Sequence, residues 1–171
     1  MKKAAALLTF CFLFVCLCAS AQEKAADSLP PYKKYPKLPA FKMLELDSVT
    51  EFNTFNIPEG RPTILMFFSP DCDHCQMITD SMVHHMDELK NVQVYMLTIM
   101  TIGETRKFAA KLHLEKYKNI RLFKDQDFFF PRFYKASYVP YIVVYDRHKK
   151  LVTSFEGEVK IPDLIRAVSG K

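Results

Sequence analysis

The apolar residues of the chain fall into two kinds of run. Thr63-Ile64-Leu65-Met66-Phe67-Phe68 is apolar almost without interruption, the pattern of a strand covered on both faces in a parallel sheet. Val92 to Met100 and Tyr141 to Tyr145 repeat it. Between the first two, from Cys72 onward, Met77, Ile78, Met82 and Met86 recur at helical spacing. This predicts a helix reaching about Lys90, ended at Asn91. Gly103 to about Tyr117 fits a second amphipathic helix with Phe108, Leu112 and Tyr117 turned inward. Shorter elements complete the pattern. Phe41 to Leu46 reads as a strand, and Ser48 to Phe55 as a short helix or turn. Pro58-Glu59-Gly60-Arg61-Pro62 is punctuation. Ile120 to Phe123 is a strand, and Asp125-Gln126-Asp127 opens a short helix through Tyr134, since aspartate is a good N-cap. Leu151 to Phe155 returns as the last strand after the polar turn Asp146 to Lys150. Pro162 starts a closing helix over 161–168. Strands that alternate with helices and finish in a hairpin make a three-layer α/β domain, a central mixed sheet flanked by helices.

The first residues follow a different pattern. Lys2 and Lys3 precede an apolar run, Ala4 to Cys18, broken only by Thr9, and Ala19-Ser20-Ala21 supplies small residues for cleavage. Residues 1–21 therefore read as a secretory signal peptide, with Gln22 as the mature N-terminus. The run is shorter than the roughly 20 residues that span a bilayer. Residues 22–38 are polar and carry Pro30, Pro31 and Pro36, which predicts a flexible N-terminal tail. The folded domain is expected over 39–171. The 171 residues are 49% hydrophobic and 25% charged, the balance of a globular chain large enough to bury one core. Removing the leader lowers the basic residues from 24 to 22 against 19 acidic ones. A surplus that small argues against a nucleic-acid partner, which needs a concentrated basic footprint.

Chemistry enters with the cysteines. Three of the five, Cys11, Cys16 and Cys18, lie in the leader. The mature chain keeps Cys72 and Cys75, separated by Asp73 and His74. A loop closed across two residues constrains an unfolded chain very little, so the pair is a poor staple. In an exported chain this spacing favours a working dithiol. The pair stands where a buried strand gives way to a helix. Unpaired N–H groups and the positive end of the dipole stabilise a thiolate there. Between the cysteines, a protonated His74 favours the Cys72 thiolate and Asp73 opposes it, so both are tuning candidates. Val139-Pro140 enters the third long strand. Proline is permitted at a strand's first residue, and X–Pro is where cis bonds concentrate.

With these residues in view, the chain resembles thioredoxin-fold proteins and, more narrowly, the exported TlpA/ResA-like thiol–disulfide oxidoreductases, over roughly residues 38–169. Ile64 to Cys75 is similar to the family's strand, active-site turn and CxxC. Tyr138 to Asp146 is similar to its cis-proline strand, and Leu122 to Tyr134 to the extra strand and helix of the exported relatives. The resemblance implies an enzyme in which Cys72 attacks, Cys75 resolves, and Val139-Pro140 docks the client backbone beside the disulfide. It implies protein thiols or disulfides as clients, an upstream redox partner in or near the membrane, a monomer, and a periplasmic or equivalent extracytoplasmic location. It calls for no cofactor and no metal. Reductase and oxidase or isomerase activity both remain open. The sequence also departs from the family. It has no tryptophan; Asp71 precedes Cys72; Met66 stands where many relatives bury an acid; and Val139 replaces the usual threonine before the proline.

Two other chemistries use the same fold. A copper or other metal-binding module would use CxxxC with a distant histidine, whereas the spacing here is CxxC. A peroxiredoxin-like peroxidase would carry a proline where Leu65 stands, although Ser69 fits its hydroxyl position. The aromatic run Phe128-Phe129-Phe130 with Phe133 and Tyr134 reads first as a helix packed on the sheet. Arg147-His148-Lys149-Lys150 reads as a solvated hairpin tip.

Overall fold

The computed structural model describes residues 29–170. The signal peptide expected over 1–21, with Cys11, Cys16 and Cys18, and the start of the expected tail lie outside the described residues. Contacts divide the chain between Tyr35 and Pro36. Before that division stands one helical turn, α1 (Pro31–Lys34), whose first amides, Lys33 and Lys34, donate to the Pro30 carbonyl.

The second unit is built on a seven-stranded sheet. Its strands are β1 (Lys42–Glu45), β2 (Glu51–Asn53), β3 (Thr63–Phe67), β4 (Gln93–Thr98), β5 (Ile120–Lys124), β6 (Tyr141–Tyr145) and β7 (Leu151–Glu156). They lie in the order β2-β1-β5-β4-β3-β6-β7. The three inner strands β5, β4 and β3 run parallel, and the pairs flanking them are antiparallel. This is the expected mixed sheet. The helices are α2 (Asp73–His84), α3 (Met86–Leu89), α4 (Ile102–Lys111), α5 (Phe129–Tyr134) and α6 (Ile161–Ser169).

β3, β4 and β6 are buried at every position, so alternate residues fill two different cores. Ile64, Met66 and Phe68 join Val94, Met96, Ile142 and Val144 against Cys75, Ile78 and Met82 of α2, Phe108 of α4 and Leu164 of α6. Leu65 and Phe67 point the other way. There Phe67 stacks on Phe130 of α5 at 5.2 Å, and Tyr95 and Phe123 stack with Phe52 of β2.

Several elements differ from their sequence pattern. Ser48 to Phe55, expected as a helix or turn, contains strand β2 and a 3-10 turn, Thr54–Asn56. Three strand residues are too few to show alternation; the pairing with β1 fixes them. The helix expected to run to Lys90 stops at His84, and α3 restarts after His85. Met77, expected inside, is 56% exposed, while Cys75, Ile78, Thr79 and Met82 form the buried stripe. The helix expected from Asp125 begins at Phe129. Residues 36–38, placed in the tail by composition, lie along the last hairpin. Leu151 N–H donates to the Pro36 carbonyl at 2.7 Å, and Leu38 N–H to that of Lys149 at 2.9 Å. Such backbone pairing leaves no side-chain signature.

Candidate active site

The site lies where β3 ends. Phe68 N–H still bonds to Leu97, and then Ser69-Pro70-Asp71 turns the chain away from the sheet. Cys72 N–H closes that turn on the Ser69 carbonyl at 3.1 Å. Cys72 is the N-cap of α2, and its Sγ accepts the Cys75 N–H at 3.3 Å. A sulfur thus occupies the place a serine or aspartate oxygen usually takes, facing one of the unpaired amides of the first turn.

The two cysteines sit in unlike surroundings. Both are free thiols; Cys72 is half-buried and Cys75 is fully buried. Cys75 packs with Met66 and the aliphatic core beneath α2. Burial first, and then its hydrogen bond with Cys72, push the Cys75 thiol far above its ordinary range, against a weaker opposing backbone bond at Ser69. A one-turn spacing at a helix start produces this division: the cap faces the surface and the third helical residue turns inward.

Gln76 braces the turn. Its Nε2 donates to the Pro70 carbonyl at 2.8 Å, its Oε1 accepts from Lys111 Nζ of α4 at 2.7 Å, and its backbone N–H bonds to Cys72. Asp73 and His74 are exposed on the first turn of α2.

The second side of the site comes from the loop before β6. The Val139–Pro140 peptide is cis, and the Cys72 thiol donates to the Val139 carbonyl at 3.7 Å, across 67 residues of sequence. Val139 is half-buried, Pro140 is buried, and Tyr138 beside them is 72% exposed. The structure therefore brings Cys72, Cys75 and Val139-Pro140 together, with Asp73 and His74 on the solvent side.

Three further residues shape the site and its scaffold; the sequence offered the last of them as a helix cap and gave no sign of the first two. Gln76 is one. Glu156 is another: its Oε1 accepts the backbone N–H groups of both Ser137 and Tyr138, at 2.6 and 2.8 Å. The third is Asp125, fully buried at the end of β5. It accepts the amides of Phe129 at 3.0 Å and Phe130 at 2.8 Å and so caps α5 from four residues upstream. Burial raises its pKa, and those two bonds oppose the rise. Asp125 serves the aromatic core, where Phe130 and Tyr134 are buried, while Phe128 stays 51% exposed. Among the described residues, no three His, Cys, Asp or Glu side chains gather where they could hold a metal ion. No described helix is long and apolar enough to cross a membrane.

Comparison with known proteins follows the same outline. A family model for a thioredoxin-like domain matches residues 54–169. No curated protein matches the chain by sequence. Among solved structures, the chain resembles a secreted Mycobacterium tuberculosis disulfide oxidoreductase homologous to the E. coli protein DsbE. That match has a TM-score of 0.64 and 19% identity, covering 77% of this chain and 96% of the other. A thiol:disulfide interchange protein of the thioredoxin family from Chlorobium tepidum superposes with a TM-score of 0.65 at 14% identity, over 84% of this chain and 97% of that one. A peroxiredoxin-like protein from Aquifex aeolicus gives 0.63 at 12% identity, over 78% and 84%. At these identities the likeness is one of fold.

Proposed function

We propose, for a chain that belongs to the thioredoxin-like domain family, that it is an extracytoplasmic thiol–disulfide oxidoreductase acting on protein clients. The observation that supports this most is the asymmetry of the pair. Cys72 is half-exposed at a helix N-terminus, facing an amide and the Val139 carbonyl, and Cys75 is buried beneath it with its pKa held high.

In the reducing direction, the Cys72 thiolate attacks one sulfur of a client disulfide. A Cys72–client bond forms, the client S–S bond breaks, and the other client sulfur leaves as a thiolate. Cys75 then gives up its proton and attacks Cys72 Sγ. The Cys72–Cys75 bond forms, the remaining client sulfur departs as a thiolate, and the client has gained two electrons that the dithiol has lost. Cys75 needs a proton acceptor at that moment because its thiol is the stable form until then. With Met66 beneath it, the departing client thiolate fills that role. The oxidising direction is the reverse of these steps.

An extended client segment lies beside the Val139 backbone and pairs with it as an added strand. A leader followed by a tail suits export to a periplasm or its equivalent, and a membrane-associated partner would renew the pair. The test is a pair of variants. Cys72→Ser abolishes insulin disulfide reduction, and Cys75→Ser retains attack but accumulates mixed disulfides. Normal turnover by Cys75→Ser would sink the two-thiol mechanism. The reduction potential of the pair assigns the direction: a value near about −270 mV belongs to a reductase, and one near about −120 mV to an oxidase.

A further inference from the structure

We propose that Glu156 is a positioning residue for client exchange, acting through the loop that meets Cys72; the inference rests on the function just proposed. Glu156 is the last residue of edge strand β7 and is exposed to solvent. Its neighbour across the pair is Tyr141, the first residue of β6. From there the carboxylate reaches back, and one oxygen, Oε1, receives two successive backbone amides, Ser137 at 2.6 Å and Tyr138 at 2.8 Å. Immediately after it, Gly157 N–H donates to the Pro140 carbonyl at 2.9 Å. Gly157 has φ +76° and is the first residue after the strand.

Two adjacent residues at the end of β7 therefore hold the loop on both sides of Val139. The Val139 carbonyl between those anchors is the one that faces Cys72 Sγ at 3.7 Å. Ser137 and Tyr138 are exposed and belong to neither strand nor helix, so the side-chain acceptor supplies what a sheet ladder would supply elsewhere. A carboxylate suits the task because it only accepts, and charge makes both bonds short and strong. The consequence falls on extended clients, which must pair with this backbone. A small disulfide, which needs only the sulfur, is indifferent to it.

The test compares Glu156→Ala and Glu156→Gln with wild type on two substrates, insulin and a small aromatic disulfide, with dithiothreitol regenerating the dithiol. The expected result is a rise of about tenfold in KM for insulin in Glu156→Ala. Turnover of the small disulfide should stay within about twofold. Glu156→Gln, which keeps a carbonyl oxygen at the same reach, should recover most of the insulin KM. Equal loss on both substrates, no loss on either, or failure of glutamine to restore KM would overturn the proposal. The amide proton shifts of Ser137 and Tyr138 give a reading that needs no turnover. Both should move upfield in Glu156→Gln, and unmoved shifts would remove the clamp. A wild type inert toward both disulfides would instead refute the parent function, and the amide shifts would still decide the clamp.

Discussion

The two faces of the central sheet are built from different materials. Toward α2 the strands present Ile64, Met66, Val94, Met96, Ile142 and Val144, and the helix answers with Cys75, Ile78 and Met82. On the other face Phe67, Tyr141 and Tyr145 are answered by Phe130 and Tyr134 of α5, and Tyr95 and Phe123 by Phe52 of β2. The first face is mostly aliphatic and sulfur-bearing, with one ring pair, Phe68 and Phe108; the second is aromatic and hydroxyl-bearing. On the aromatic face polar atoms are matched: Tyr134 and Tyr145 share a hydrogen bond of 2.8 Å, and Asp125 holds the start of α5. The aliphatic face offers the buried thiol Cys75 apolar and thioether neighbours, and burial keeps that thiol protonated. A single alternating strand, β3, thus separates the chemistry from the scaffold. The side with the softer side chains carries the buried thiol, and the ring-stacked side anchors β6, which leads from the cis peptide.

The largest effect that would break this contrast is in packing. Phe130→Ala removes a fully buried ring that stacks on Phe67 and Tyr134 and should cost about 3–5 kcal/mol in denaturant unfolding. Met66→Leu on the opposite face should cost less than about 1.5 kcal/mol, because thioether and leucine volumes are close. Equal losses would mean that the Phe130 ring does not anchor its face by packing.

A smaller effect comes from the buried acid Asp125 and is read by pH. Asp125 titrates in the folded state above its ordinary value of 3.8. Its neutral form is the one favoured by burial, so its contribution is fully present below 3.8 and is lost as pH rises through the raised value. Asp125→Asn cannot ionise. The stability of the variant minus that of wild type should therefore rise across that window, read by thermal unfolding at a series of pH values. A flat difference would show that Asp125 ionises as it does in the unfolded chain.

The smallest effect lies outside both cores. His74 is exposed one residue beyond the helix start, where a positive charge would favour a thiolate at the cap and so a more oxidising disulfide. His74→Ala should lower the reduction potential by no more than about 30 mV, the equivalent of about 1.4 kcal/mol, since solvent screens an exposed charge. A rise in potential would reverse the assigned sign.

Much of this was legible in the sequence because it was local. The unbroken run Thr63–Phe67 announced a doubly covered strand, and the cysteines stood at its junction with a helix. Their placement against Val139-Pro140 rested on the family resemblance, since nothing local joins positions 67 residues apart. What escaped reading was long-range or had no repeat. β2 is held by Phe52 against Phe123 and Tyr95, contacts that a three-residue segment does not advertise. The start of α5 was misplaced because Asp125 caps it across an intervening Phe128 with φ +52°. Met77 fitted the helical period but sits on the wrong side of α2, whose inward face is set by Cys75 and Ile78. Glu156 lies one residue past the strand expected over Leu151 to Phe155, and its partners are amides, which no side-chain pattern encodes.

The bracing of the active-site turn bears on speed. Cys72 N–H to Ser69, Gln76 Nε2 to Pro70 and Lys111 Nζ to Gln76 together hold the backbone around the cysteines. None of the three passes through a sulfur atom. Because these bonds do not use the sulfurs, joining Cys72 to Cys75 would leave them in place and call only for χ1 rotation of two short side chains. Such rotations are complete in picoseconds to nanoseconds, whereas collective movements of helices take microseconds to milliseconds. Client exchange of the proposed kind would then be timed by the arrival and departure of clients rather than by a rearrangement of the protein.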